Sequence, residues 1–284
     1  MKEYSLKSYY RSCRVRCREA GIPESALGWL FCEKLDCGLA ELSILMRDKQ
    51  LSRDWVRAFE ELFMRLIQGE PVQYILGRAW FWGLTLKVNP DVLIPRPETE
   101  QLLELALRYC AEDAKVLDCC TGSGAIALAL KIQRPDASIH ASDLSAAALE
   151  VAKGNASDLQ LELEFYQCDL FPENGIKFDL IVSNPPYVSQ AEYEELEAVI
   201  KDNEPQMALL SGNEGLDHIL RILELAPSHL AEEGVLCLEH GEKQQQKIIQ
   251  EAVSEGWEVE FAGQDLADKD RFLVLKYNHH NQRR

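Results

Sequence analysis

Phe178-Asp179-Leu180-Ile181-Val182-Ser183-Asn184-Pro185-Pro186-Tyr187 is an apolar run that leads directly into a rigid tetrapeptide. Leu180 to Val182, rich in β-branched side chains, reads as a central strand of a parallel sheet. Pro185 and Pro186 end the ladder, because neither can donate a backbone hydrogen bond. They also hold the chain extended, which fixes the Asn184 side chain and the Pro185 carbonyl in space. Ligands of open α/β sheets bind at the carboxyl ends of strands, where this motif falls. Two fixed amide acceptors beside an aromatic ring suit a planar –NH2 group. The acceptors take its two hydrogens and the Tyr187 ring covers its face. Such a nitrogen is a poor nucleophile, and the acceptors draw it toward tetrahedral geometry while stabilising the positive charge that develops. The scheme needs a strong electrophile, which a cofactor must bring. A plain tight loop is the competing reading, and it is the weaker one because the motif closes a strand.

Upstream, Lys115-Val116-Leu117-Asp118-Cys119-Cys120-Thr121-Gly122-Ser123-Gly124-Ala125-Ile126-Ala127-Leu128-Ala129-Leu130 reads as strand, glycine turn and helix. Gly122 and Gly124 let the backbone approach a ligand, and the helix presents free N–H groups there. Asp143 closes the run Ser138-Ile139-His140-Ala141-Ser142 and is placed to accept from both hydroxyls of a ribose. A G-x-G turn followed by an acid is common to dehydrogenases and methyltransferases, and Gly122-x-Gly124-x-x-Ala127 satisfies the relaxed dinucleotide fingerprint. Asp118 argues against a dinucleotide, since it would repel a pyrophosphate but attract a cationic amino-acid end. The Asn-Pro-Pro-Tyr strand also has no role in hydride transfer.

Together these residues resemble the class I AdoMet-dependent methyltransferases. Their Asp-x-Gly-x-Gly-x-Gly turn appears here as Asp118 to Gly124, with Cys120 in place of the first glycine. A Cβ in the left-handed region costs roughly 1–2 kcal/mol. Cys120 is therefore expected at negative φ, leaving Gly122 and Gly124 to carry the turn. Asn-Pro-Pro-Tyr narrows the resemblance to enzymes acting on planar amino groups of DNA, RNA or protein glutamine. Three further strings narrow it again: Gly69-Glu70-Pro71-Val72-Gln73-Tyr74-Ile75-Leu76-Gly77, then Phe81-Trp82-Gly83-Leu84, then Val88-Asn89-Pro90-Asp91-Val92-Leu93-Ile94-Pro95-Arg96-Pro97-Glu98-Thr99-Glu100. With Leu238-Glu239-His240-Gly241 late in the chain, they are similar to the HemK/PrmC family of peptide chain release factor glutamine methyltransferases.

That resemblance implies an α/β fold, a seven-stranded doubly wound Rossmann-like sheet with a small N-terminal helical bundle. It implies S-adenosyl-L-methionine as cofactor, S-adenosyl-L-homocysteine as product, and the Gly-Gly-Gln glutamine of class I release factors as substrate. Carried over by residue, Asp118, Cys120, Thr121, Gly122, Ser123, Gly124, Asp143, Asp169, Leu170 and Asn184 face the cofactor. Asn184, Pro185, Pro186 and Tyr187 hold the substrate amide, with Asn184, Pro185 and Tyr187 catalytic and no metal. Trp80, Phe81 and Trp82 read first as packing residues, and Arg96 is equally well an ion-pair partner or a neighbour of the site.

Composition bounds the rest. The chain has 284 residues, 46% of them hydrophobic, and a formal net charge of −17. Such acidity opposes tight nucleic-acid binding, which depends on Lys and Arg at phosphates. A basic cluster of Lys2, Lys7, Arg11, Arg14, Arg16 and Arg18 departs from that trend; it reads first as a solvated helix face and second as a docking surface. No apolar run reaches the ~18 residues of a membrane span, and the polar stretch Met1-Lys2-Glu3-Tyr4-Ser5 does not read as a signal peptide, so a cytoplasmic location is expected. The nine cysteines contain no C-x-x-C and read as reduced thiols. Asn278 to Arg284 reads as a disordered polar tail.

Residues 1–72 are expected to be helical and to recognise the release factor. Residues 73–95 read as a linking hairpin and 96–284 as the methyltransferase domain. Trp55, Phe59, Leu62, Phe63 and Leu66 share one face of a helix that Gly69 stops. Strands are expected near Val116, Ile139, Leu163 to Tyr166, Leu180 to Val182, Val235 to Leu238, Trp257 to Phe261 and Phe272 to Leu275, the last pair antiparallel. Two other functions compete: a nucleic-acid amino-group methyltransferase acting on adenine N6 or guanine N2, and a non-enzymatic binding factor that keeps the fold.

Overall fold

The computed structural model describes residues 4–279, so Lys2 and the tail from residue 280 lie outside it. The chain forms two compact units. One comprises the residues up to Arg78 together with Glu197–Asn203, and the other Ala79–Leu196 together with the chain from Glu204 onward.

Helices Leu6–Glu19, Glu24–Leu35, Leu39–Leu45, Arg53–Ile67 and Val72–Leu76 build the first unit. Helix Arg53–Ile67 starts where the Ser52 hydroxyl accepts from Trp55 N at 3.1 Å, and Gly69 follows it at φ +93°. Phe59 and Phe63 are fully buried on its inner face, with the Phe31 ring 4.2 Å from that of Phe59. Burying each such ring contributes about 1.5–3 kcal/mol. Val72–Leu76 departs from the expected hairpin. Pro71 precedes it and Gly77, at φ +68°, ends it, so five residues coil into a helix that buries Val72 and Ile75 in this core. In the basic cluster, Arg16 pairs with Glu60 at 2.9 Å and Arg14 with Glu24 at 3.5 Å.

Strands Arg78–Phe81 and Leu84–Lys87 then form a two-stranded hairpin. Phe81 is buried and Trp82 packs against the same core, whereas Trp80 is 46% exposed, so packing accounts for two of the three aromatics.

The large sheet contains β1 (Lys115–Cys119), β2 (Ser138–Asp143), β3 (Glu164–Gln167), β4 (Phe178–Ser183), β5 (Leu230–Glu239), β6 (Trp257–Gln264) and β7 (Asp270–Tyr277). Their spatial order is 3-2-1-4-5-7-6. The first five are mutually parallel, and β7 inserts antiparallel between β5 and β6. Both faces are covered. Val116, Leu180 and Val182 point into a core with helices Pro97–Tyr109 and Ala125–Gln133, while Leu117 and Ile181 meet helices Asp217–Leu225 and Gln245–Ser254 on the other side. Double burial of the central strands explains why β1, β4, β5 and β7 read as apolar runs, whereas the edge strands β3 and β6 are largely unburied and alternate.

Register decides what meets at the carboxyl ends. Ser142, Cys119, Ser183 and Leu238 lie side by side on one rung of β2, β1, β4 and β5. One residue further along each strand come Asp143, Cys120, Asn184 and Glu239. The strand order reverses between β1 and β4, and such a switch point opens a ligand crevice. Among the described residues no helix is long and apolar enough to cross a membrane. Asn278, assigned to the tail by sequence, donates its backbone N–H to Gly256 O at 3.1 Å.

Candidate active site

The turn after β1 runs through three left-handed residues, Cys120 at φ +62°, Gly122 at +55° and Gly124 at +82°. The expected negative φ for Cys120 is therefore wrong. Its neighbours dictate the conformation: Thr121 N donates to Ser142 O at 3.0 Å and Gly124 N to Thr121 O at 2.9 Å, which turns the chain into helix Ala125–Gln133. These bonds outweigh the roughly 1–2 kcal/mol that a Cβ costs there. The two glycines do carry positive φ, in different surroundings. A Cβ on Gly122 would meet open space, whereas one on Gly124 would lie 3.2 Å from Ala152 Cβ and from Leu128 Cδ1.

Asp118 is wholly buried beneath this turn. Its Oδ2 accepts from the Thr121 hydroxyl at 2.6 Å and from Ala127 N at 3.0 Å, while Oδ1 has no partner among the described residues. Burial pushes its pKa up to about 7, against the pull of those two donors. Buried acceptors in native proteins are almost always satisfied, so an orphan beneath a glycine turn marks a place for a ligand's donor. Asp143 is held by two backbone donors, Gly122 N to Oδ2 and Ser145 N to Oδ1, both at 2.9 Å. Each oxygen keeps a lone pair for a further donor. Burial raises its pKa as well.

Asp169 and Leu170 come next to this acid. The carboxylate of Asp169 takes a forked bond from Arg221 at 2.8 and 3.2 Å, which lowers its pKa, and its side chain is 51% exposed. Leu170 is left-handed at φ +67°, and its carbonyl accepts from Ser142 Oγ at 2.6 Å and Cys119 Sγ at 3.3 Å. Cys120, Gly122, Asp143, Asp169, Leu170, Asn184 and Pro186 line one cleft of about 710 Å³, its open mouth included. Thr121 and Ser123 are buried, and the Ser123 carbonyl accepts from Asn155 Nδ2 at 2.9 Å. The same cleft is walled by Asp91, Val92, Leu93, Met207 and His218, which the sequence reading did not assign. Val92 and Leu93 had a visible signal as apolar residues in a loop between prolines; Met207 had none.

The amide of Asn184 is set by residues from two other elements. Its Nδ2 donates to Thr99 Oγ1 at 3.0 Å, and the Thr99 hydroxyl donates to Glu239 Oε2 at 2.9 Å. Tyr187 donates its hydroxyl to Glu239 Oε1 at 3.2 Å. Glu239 is 1% exposed, and burial pushes its pKa up to about 7. Thr99 and Glu239 were missed as contacts of the site, although Glu239 ends β5 as Asp143 ends β2. Arg96 is an ion-pair partner, with Nη2 2.6 Å from Glu204 Oε1 while Ile94 N donates to the other oxygen at 3.2 Å, and it also neighbours the site, since its charge acts on Tyr187.

A cleft at the switch point, a glycine turn over a buried carboxylate and an amide aimed from the neighbouring strand define a methyltransferase of the Rossmann-like class. The chain matches the methyltransferase small domain over residues 99–213 and the PrmC N-terminal domain over 9–77. It is 42% identical over 236 residues to the release factor glutamine methyltransferase of Lactococcus lactis, covering 82% of this chain and 86% of that one. It is 34% identical over 271 residues to the enzyme of the same name from Bacillus anthracis, covering 91% and 94%. Among solved structures, the ribosomal protein L11 methylase of Lactobacillus delbrueckii superposes with a TM-score of 0.52 at 22% identity over 68% of this chain and 86% of that one, which establishes the fold. This chain belongs to the release factor glutamine methyltransferase family.

Proposed function

We propose that this protein methylates the side-chain amide nitrogen of the glutamine in the Gly-Gly-Gln motif of class I peptide chain release factors, using S-adenosyl-L-methionine. The observation that carries the reading is the fixed amide of Asn184. Its NH2 donates one hydrogen to Thr99, and among the described residues Oδ1 has no partner, which leaves it to accept from an incoming planar –NH2 group.

The residues present fit the cofactor. Asp118, with its unpartnered Oδ1, suits the ammonium of the amino-acid end; Asp143 suits the ribose hydroxyls; Gly122 leaves room for the ligand to approach the backbone. Cys120, Thr121, Ser123 and Gly124 shape that turn, and Leu170 with Asp169 provides the adenine side. Asp169 is the weakest of these contacts, because Arg221 already occupies its carboxylate. When bound, S-adenosyl-L-methionine supplies a methyl group on a positively charged sulfur and is left as S-adenosyl-L-homocysteine. Asn184 Oδ1 and the Pro185 carbonyl take the two amide hydrogens of the substrate and orient the nitrogen lone pair. Pro186 keeps that segment extended, and the Tyr187 ring covers the amide. Charge develops on the nitrogen beside fixed dipoles, so a strong base is not required and the proton leaves to water after the N–C bond forms.

The helical unit, which spans residues 1–72 in the sequence reading, is assigned to recognition of the release factor, and the cytoplasm to the reaction. The test is single-turnover transfer of labelled methyl to a purified class I release factor, followed by peptide mass mapping. Label on the Gly-Gly-Gln glutamine is expected, and none on a Gly-Gly-Glu variant. Transfer to RNA or duplex DNA in place of the release factor overturns the reading.

A further inference from the structure

Asn184 is the only member of the amide grip whose orientation is a matter of choice, because its Oδ1 and Nδ2 differ by a half-turn of one bond. We infer that Thr99 and Glu239 are positioning residues that select this orientation, with ionised Glu239 accepting the hydrogen bond of the Thr99 hydroxyl so that only the NH2 of Asn184 can face Thr99. The inference rests on the glutamine-amide reading above and deepens it.

The argument is a count of protons. A threonine hydroxyl has one hydrogen and two lone pairs. Here the hydrogen goes to Glu239 Oε2 at 2.9 Å, so the oxygen meets Asn184 as an acceptor, 3.0 Å from Nδ2. With the other orientation of Asn184, two oxygens would face each other without a proton between them. Substrate hydrogens would meanwhile meet an NH2. That arrangement repels where the grip must accept. Glu239 fixes the direction because it is a pure acceptor when ionised, and it accepts a second hydrogen bond from the Tyr187 hydroxyl at 3.2 Å. One buried carboxylate therefore orders both the amide and the ring of the Asn-Pro-Pro-Tyr motif.

The arrangement reverses on protonation. A neutral Glu239 carries one hydrogen; when protonation falls on Oε2, the oxygen that faces Thr99, that hydrogen is donated to Thr99, and the Thr99 hydrogen then turns to Asn184, where only Oδ1 can receive it. The charged and titratable groups that act on Glu239 are Arg271, which favours its ionised form, and Tyr187 and Glu98, of which the Tyr187 hydrogen bond favours that form and the Glu98 charge opposes it. Burial raises the carboxyl to about 7, so the switch falls within an accessible range.

Three variants at saturating S-adenosyl-L-methionine test the inference. Thr99→Val keeps the shape and removes the hydroxyl, and kcat on the release factor is expected to fall about 10- to 100-fold, as misplacing a reacting group does. Cofactor affinity should stay within about twofold by calorimetry, which also shows that the variant is folded. Thr99→Ser should restore kcat to within about threefold of wild type. For wild type, kcat should fall as pH drops through about 7, and in Glu239→Gln that limb should flatten at a lower plateau. Nitrogen-15 NMR of the Asn184 side-chain amide provides a readout without substrate: its shift should follow the same titration in wild type and not in Glu239→Gln. A Thr99→Val enzyme with full kcat, or an Asn184 amide signal that ignores pH in wild type, overturns the inference. If wild type transfers nothing to a release factor, the substrate reading falls, and the amide titration still decides the relay.

Discussion

The backbone N–H of Gly122 donates to Asp143 Oδ2 at 2.9 Å, which makes the glycine turn and the acid at the end of β2 one rigid unit. Removing Asp143 thus has two effects. Asp143→Ala deletes the acceptors proposed for the ribose and frees a turn amide, and cofactor affinity should drop by about 1–3 kcal/mol. Asp143→Asn keeps one acceptor and should lose less. Calorimetric titration with S-adenosyl-L-methionine measures both, and unchanged affinity in the alanine variant removes Asp143 from the cofactor site.

Asn184→Ala should lower turnover by about 10²–10³, the usual loss for one preorganised partner of a developing charge. Cofactor binding should change far less. Tyr187→Phe keeps the ring and removes only the hydroxyl on Glu239, so its loss should be smaller. Steady-state kinetics at saturating release factor discriminates these outcomes, and full turnover in Asn184→Ala rules out the amide grip.

Cys120 at φ +62° makes a substitution to glycine favourable. Relief of the left-handed strain, roughly 1–2 kcal/mol, is partly offset by about 0.4–1 kcal/mol of extra freedom in the unfolded chain. Cys120→Gly should thus raise the melting temperature by a few degrees at most, and Cys120→Val should lower it. Because Cys120 lines the cleft, saturating S-adenosyl-L-methionine should slow its alkylation. Equal labelling rates with and without the ligand would mean that the thiol does not face it.

Asp118 couples cofactor binding to pH. In the free protein its carboxyl titrates at about 7, and a cation beside Oδ1 favours the charged form. Below that value binding must expel a proton, so affinity should weaken by up to about tenfold per pH unit. Above it, affinity should level off. Calorimetry in buffers of different ionisation enthalpy counts the released proton, which Asp118→Asn should abolish. Without ligand the same shift acts on stability in the opposite sense. The fold holds the protons of Asp118 and Glu239 more tightly than the unfolded chain does. Their contribution to stability is therefore largest at low pH and shrinks as pH rises from about 4 to about 7.

All seven strands were legible: β1, β2, β4, β5 and β7 because burial on both faces favours apolar residues at Val116, Ile139, Leu180, Val235 and Phe272, and the largely unburied edge strands β3 and β6 because apolar and acidic residues alternate from Leu163 to Phe165 and from Trp257 to Phe261. Asp143 was legible because an acid closing a buried strand is unusual. Glu239 carries the same signature, but its partner Thr99 lies 140 residues away, and nothing local says that β5 neighbours β4. Cys120 was misjudged by a rule about one residue's sterics, which the hydrogen bonds of Thr121 and Gly124 override. Leu170 was named for the cofactor side, but its left-handed backbone was not read, since leucine is a side chain that propensity keeps out of that region.

Glu197–Asn203 belongs to the same compact unit as the residues up to Arg78, where Asn203 Nδ2 donates to Gly69 O at 3.1 Å. This has a consequence for biosynthesis. The first helices emerge from the ribosome early, yet the piece that completes their unit follows only after more than a hundred further residues. At 5–20 residues per second the delay is on the order of 10 s. Cutting the gene after Arg78 therefore yields an N-terminal unit without helix Ala198–Lys201, and the remainder carries that helix without the rest of its unit.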